Sequence, residues 1–183
     1  MVGYAAWFAA GVIAWTFLEY ALHGWMSHRF TTFASRVHAV HHRDPSAVFA
    51  IGAWLPVAVI WAILVYLGSG KEIASISGLV TGFAVYEIIH YRLHFARPRF
   101  EIEDWMRTRH LAHHNCAPKR NLGVSTPVWD LIFGTQATRS EMDRIELSIK
   151  KVPPIASPSN LGHLGRFIGC GLTGKPLFRS RKR

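Results

Sequence analysis

Three uncharged apolar stretches, separated by polar histidine-bearing segments, organise the chain. Residues 1–18 carry no charge and are closed by Glu19. Residues 47–67 are uncharged throughout. As a helix this second stretch spans roughly 30 Å, the thickness of a hydrocarbon core. Residues 73–86 are also uncharged, and the apolar pattern continues through Ile88 and Ile89 despite Glu87. Each stretch predicts a membrane helix, with a kink expected at Pro56 in the second. The string Leu67-Gly-Ser-Gly-Lys-Glu72 predicts a short turn. It lacks the glycine spacing and the following Ser or Thr of a phosphate loop. From Phe95 onward the pattern predicts amphipathic helices broken at Pro98, Pro118 and Pro127. Residues 139–160 read as polar surface structure, and residues 161–177 mix Gly with apolar residues in a way that suits a membrane surface. The fold expected is all-α: an integral-membrane bundle of three to four transmembrane helices under a cytosolic helical cap. Residues 1–136 form the membrane-embedded catalytic part, and residues 137–183 a C-terminal extension with a basic tail.

Composition agrees with this reading. Half of the 183 residues are hydrophobic and 17% are charged, below the roughly 25% of soluble proteins. The net charge of +10 raises nucleic-acid binding, but the distribution argues for topology instead. Before Lys71 the only basic residues are Arg29, Arg36 and Arg43, and all the others lie between Arg92 and Arg183. The positive-inside rule then places residues 23–46 and the C-terminal half in the cytosol, with the N-terminus and the 68–72 turn outside. No nucleic-acid partner is expected. The ending Arg179-Ser-Arg-Lys-Arg183 suits either a solvated tail or contact with anionic lipid. The first 28 residues hold no Lys or Arg, so no cleavable signal peptide is expected. Cys116 and Cys170 form no metal-type pair and read as free thiols.

The chemistry lies in the histidines. Ten of eleven fall in four clusters, His23-x4-His28, His38-x2-His41-His42, His90-x3-His94 and His110-x2-His113-His114. All four occupy the same expected side of the membrane. Residues three and four apart share a helix face, so the last three clusters each deliver two or three imidazoles to one point. His23 and His28 are five apart and need a helix end or a distortion at Gly24. Neutral imidazole binds Zn, Cu, Fe or Ni. Ten ligands exceed the capacity of one ion and suit two ions with about five each. His163 stands outside the clusters and reads as an ordinary polar residue. Ionisable groups beside a membrane span are costly and mark function. Glu19 and Glu87 are therefore candidates to accept a hydrogen bond from a ligand's second nitrogen and fix its tautomer. The rival for each is an interfacial carboxylate or an ion pair, such as one between Glu87 and Arg92. No nucleophile elbow and no dinucleotide glycine motif is present.

The four boxes, the run Glu19-Tyr-Ala-Leu-His23 and the run from Asn121 through Thr-Pro-Val-Trp-Asp130 to Phe133-Gly-Thr135 resemble the fatty acid hydroxylase/sterol desaturase superfamily of membrane di-iron enzymes. The resemblance covers roughly residues 15–136. The x4, x2, x3, x2 spacing looks most like the fatty acid 2-hydroxylase branch. Carotenoid β-ring hydroxylases are similar but typically have x4 in the third box. The resemblance implies two irons held by His23, His28, His38, His41, His42, His90, His94, His110, His113 and His114, with zinc able to replace iron in purified protein. It implies hydroxylation of a fatty acyl chain drawn from the bilayer, using O2 and two electrons. Asn121, Trp129 and Asp130 then support the cage. Members of the branch often carry a fused cytochrome b5 domain, which this chain lacks, so a separate cytochrome b5- or ferredoxin-like donor is implied. Members also typically have four transmembrane helices, against three clear spans here. A carotenoid hydroxylase, a sterol oxidase or a desaturase is the alternative within the superfamily. A membrane metal binder or transporter is the alternative outside it, disfavoured because the ligands gather at one interface instead of along a path.

Overall fold

A computed structural model describes residues 2–45, 51–68, 70–115 and 117–151 of the chain. Cys116, Cys170, His163, the 161–177 stretch and the basic tail lie outside the described residues. The order is α1 (Val2–Ala21), a π-helical segment (Leu22–Arg29), α2 (Phe33–Arg43), α3 (Ile51–Leu67), α4 (Gly70–Phe95), α5 (Glu101–Asn115), α6 (Val128–Phe133) and α7 (Arg139–Lys151). Among the described residues there is no strand, as the hydrophobic pattern required.

Two helical stretches, Gly3–Arg29 and Gly70–Phe95, are long and apolar enough to cross a bilayer. Only 17% and 28% of their most apolar windows are buried in the protein. The core helix of a soluble protein would be mostly covered, so these surfaces belong to a membrane protein. Helix α3 covers the later part of the second apolar stretch, whose first residues lie outside the description.

Helices α1 and α4 run parallel in backbone contact. A Cβ on Gly78 would stand 2.0 Å from the Phe8 carbonyl oxygen, and one on Gly11 would stand 2.0 Å from that of Ser75. Further along, Trp15 lies over Gly82 and against Phe83, with ring centroids 5.0 Å apart. Small residues at the contact let the backbones approach, the packing mode of helices in lipid. Helix α3, which joins them in the chain, packs on α4, where its Trp61 indole donates to Ser77 Oγ at 3.4 Å. Because α1 and α4 are parallel, their C-terminal ends lie at the same end of the bundle. Every histidine cluster lies on, or just beyond, such an end.

The cap is built on α5. The chain breaks after α4 at the turn containing Pro98, and Glu103 holds that turn by accepting from the Arg99 backbone N–H at 2.7 Å. Residues 139–151, read as surface structure from their polarity, form helix α7. It is anchored on α5 by the fully buried Ile145.

Candidate metal centre

The ten clustered histidines converge into two groups of five. His23, His28, His38, His42 and His113 form one, and His41, His90, His94, His110 and His114 the other; within each, one nitrogen per ring lies within 4.8 Å of all the rest.

Local structure explains the sorting. Thr32 and Ser35 form a reciprocal capping box that starts α2. His38 and His42, one turn apart, then face the first group, while His41 turns into the second. Helix α5 divides in the same way, with His110 and His114 in the second group and His113 in the first. Helix α4 gives His90 and His94 to the second group alone. His23 and His28 belong to the first group alone, and here the backbone adapts. On an α-helix, residues five apart diverge by about 140°. The segment Leu22–Arg29 is instead π-helical, and its i→i+5 bonding restores a shared face. The Ser27 hydroxyl donates to the Leu22 carbonyl five residues back at 3.0 Å. The two rings stand 5.2 Å apart. The distortion expected near Gly24 is thus a full π turn. Gly24 also lies under Leu122, whose Cδ1 would be 2.8 Å from a Cβ there.

The spacing of the nitrogens is informative. Nε2 of His38 lies 3.1 Å from that of His23, 2.9 Å from that of His28 and 2.8 Å from that of His42. A ring nitrogen carries at most one hydrogen, so it cannot satisfy three such contacts as hydrogen bonds. Two nitrogens held at about 2.1 Å from one ion, at right angles, would be about 3.0 Å apart. The separations fit that arrangement. Nε2 of His42 and His113 are likewise 3.1 Å apart, and in the second group those of His94 and His110 are 2.8 Å apart. Both ring nitrogens of His90, Nδ1 of His110 and Nε2 of His114 are buried without a hydrogen-bond partner. An ion would satisfy one nitrogen of His90 and Nε2 of His114. The two groups adjoin where the His42 and His114 rings stack at 4.2 Å.

Electrostatics keep the rings neutral, the form that binds metal. Burial, followed by the neighbouring histidines, lowers the His42 imidazole to about 3. The same causes, burial first, push His38, His110, His113 and His114 well below the ordinary histidine range.

The loop between α5 and α6 fixes the orientation of the first group. His23 Nδ1 donates to the Leu122 carbonyl at 2.6 Å, and His113 Nδ1 to the Arg120 carbonyl at 3.0 Å. A carbonyl only accepts, so both protons sit on Nδ1 and both Nε2 lone pairs face the group. Asp130, fully buried, holds the loop: it accepts from the N–H of Leu122 at 2.8 Å and of Gly123 at 3.0 Å, and pairs with Arg109 at 2.8 Å. Asn121 adopts φ 53°, donates to the Arg109 carbonyl at 3.2 Å and accepts from the Ala137 N–H at 2.8 Å. Trp129 ties α6 to α1 through Thr16 Oγ1 at 3.0 Å.

Glu19 requires a correction. It bonds no histidine nitrogen; it accepts from the Val124 N–H at 2.6 Å and the Ser125 N–H at 3.2 Å. The acceptor for His23 is a backbone carbonyl, and Glu19 acts on the loop that carries it. Glu87 is buried on α4, three residues before His90. Sequence reasoning missed Arg109, which is buried against Asp130 and lies 4.9 Å above the Trp105 ring. Its position immediately before His110 was the one available signal. The carbonyls of Arg120 and Leu122 left no signal, since any residue supplies one.

Comparison with known proteins gives a consistent result. The family described as fatty acid hydroxylase matches residues 8–135. The chain is 32% identical over 139 residues to the dihydroceramide fatty acyl 2-hydroxylase FAH2 of Arabidopsis thaliana, covering 69% of this chain and 59% of that protein. It is 30% identical to the ceramide very long chain fatty acid hydroxylase scs7 of Schizosaccharomyces pombe, over 70% of this chain and 42% of the relative. Against the fatty acid 2-hydroxylase of Mus musculus it is also 30% identical, over 70% and 38%. The chain thus spans less than two thirds of the length of these relatives. Among solved structures, full-length scs7p, in which only the hydroxylase domain is visible, superposes with a TM-score of 0.63 at 24% identity. That match covers 74% of this chain and 56% of the other, a likeness of fold.

Proposed function

Since the chain belongs to the fatty acid hydroxylase family, we propose that it is a membrane di-iron oxygenase that hydroxylates a fatty acyl chain at carbon 2. The observation that carries this is the division of ten histidines into two five-membered groups with closely spaced nitrogens. His23, His28, His38, His42 and His113 hold one iron, and His41, His90, His94, His110 and His114 the other. Zinc can occupy the same imidazoles in purified protein.

Bound there, two irons would supply the redox chemistry by which O2, two electrons and two protons convert a C–H bond to C–OH, with the second oxygen leaving as water. The chain's own residues do the rest. Leu122 and Arg120 hold His23 and His113 in one tautomer. Asp130, Arg109 and Asn121 keep that loop in place. Burial of the rings excludes water and keeps the imidazoles unprotonated. The electrons come from a carrier of the cytochrome b5 or ferredoxin type. The histidine end faces the cytosol, supported by Arg29, Arg36 and Arg43 on that side and by the uncharged N-terminal span.

The test is metal counting on purified full chain, combined with mass spectrometry of acyl lipids from expressing cells and a His41→Ala control. Two metals per chain and an added oxygen at carbon 2 are expected, with the added oxygen lost and the metal content lowered in the control. Identical lipids from wild type and control, with less than one metal bound to each, would rule the proposal out.

A further inference from the structure

We infer that α6 and the outward face of α2 are embedded at the headgroup–acyl boundary of the bilayer. This rests on the membrane reading of α1 and is independent of the reaction.

The first observation is the position of α6. Although it follows α1 by more than 100 residues, it packs on the last turns of that helix. Trp129 bonds Thr16 Oγ1 and lies 4.9 Å from the Phe17 ring, and Phe133 stacks on Tyr20 at 5.3 Å. Thr16, Phe17 and Tyr20 all fall within the apolar stretch Gly3–Arg29. Helix α6 therefore sits at the depth of the span's end. Its other face consists of Val128, Leu131 and Ile132, with Leu131 and Ile132 each 61% exposed from the protein. Its one ionisable residue, Asp130, is fully buried and paired with Arg109. A helix with no exposed charge and an apolar outer face, alongside a membrane span, matches lipid as its surroundings.

The second observation is independent and lies on α2. Phe33, Val37 and Val40, at i, i+4 and i+7, share one face and are exposed, Phe33 to 82%. The neighbouring face carries His38, His41 and His42 toward the centre. On the far side of the apolar stripe lie Arg36 and Arg43, both exposed. Residues 22–43 contain three arginines and no acid. An apolar stripe bordered by arginines suits acyl chains beside anionic phosphates. The surface is also continuous with the span: exposed Leu18, Leu22, Met26 and Phe30 lead from α1 through the π segment to Phe33. A bilayer fits both helices at once. The stripe borders the face that bears His41.

The experiment places a photoreactive benzoyl-phenylalanine at Ile132 and, separately, at Phe33 in the full chain, reconstituted in nanodiscs of phosphatidylcholine and phosphatidylglycerol. Position Ile13, exposed on α1, is the membrane control, and Lys119, exposed on the loop, is the aqueous control. Lipid adducts are expected at Ile132 and Phe33 as at Ile13, and none at Lys119. Hydroxyl-radical footprinting of the unmodified chain reads the same surface without substitution, and loss of labelling at Leu131, Ile132 and Phe33 in the bilayer is expected. Lipid adducts at Ile13 alone, with strong radical labelling of α6 and α2, would overturn the inference and leave the membrane reading intact. Adducts to a second copy or to another protein would also overturn it. Failure at Ile13 as well would sink the membrane reading itself.

Discussion

The carbonyl of Leu122 accepts a 2.6 Å hydrogen bond from Nδ1 of His23, across 99 positions of sequence. Asp130 keeps Leu122 in that position and is itself neutralised by Arg109. Substituting Asp130→Asn preserves shape but leaves a buried guanidinium without its counter-charge. Loss of about 3–5 kcal/mol of stability is expected, together with reduced metal content, because His23 and His113 lose their fixed orientation. Denaturant unfolding in mild detergent and elemental analysis measure the two. A variant with wild-type stability and metal would show that Asp130 does not support the loop.

Much of this centre was legible in the sequence, for a physical reason. A period of three or four residues encodes a helix face, so the clusters at His38, His90 and His110 announce their direction. The apolar stretches announce the spans in the same way. His23 and His28 did not fit, because a π turn has no hydrophobic period of its own. The partners of Glu19, Val124 and Ser125, could not be read because they are more than 100 residues away. The Leu122 and Arg120 carbonyls were invisible, since backbone groups carry no residue signature. Helix α7 was hidden by its polarity, and the buried Ile145 shows what holds it.

The α1–α4 contact yields a test of packing. At Gly78 an added methyl would meet the backbone oxygen of Phe8 at 2.0 Å, so the helices must separate. Gly78→Ala is expected to cost about 1–3 kcal/mol. Gly24→Ala meets only the end of the Leu122 side chain, which can rotate away, and alanine favours the helical backbone. Its expected effect is within about 1 kcal/mol of neutral. Unfolding of both variants in the same detergent compares them; equal losses would refute the close-packed contact.

Group membership makes metal content separable. His28→Ala removes a nitrogen from the first group alone, and His94→Ala one from the second alone. Each is expected to leave the other ion in place, giving about half the wild-type metal per chain. His42→Ala also removes the ring stacked on His114, so it disturbs both groups and is expected to fall below either single variant. Metal-to-protein ratios by elemental mass spectrometry decide this. Complete metal loss in both His28→Ala and His94→Ala would mean that the two groups form one indivisible site.

The buried imidazoles set a pH dependence in protein stripped of metal by a chelator. Burial holds His42 near 3, against 6.5 in an unfolded chain, and His38, His110, His113 and His114 are also lowered. As pH falls through 6.5 the unfolded chain takes up protons that the folded chain refuses. Stability contributed by neutral burial is therefore complete above 6.5 and declines progressively toward 3. Urea midpoints at about pH 7.5, 6 and 5 should fall in that order. Reloading metal holds the rings neutral by ligation and should move the decline to lower pH. Midpoints that stay flat from about pH 7.5 to 5 in the stripped protein would mean that the histidines are hydrated, and the dry cage described above would be wrong.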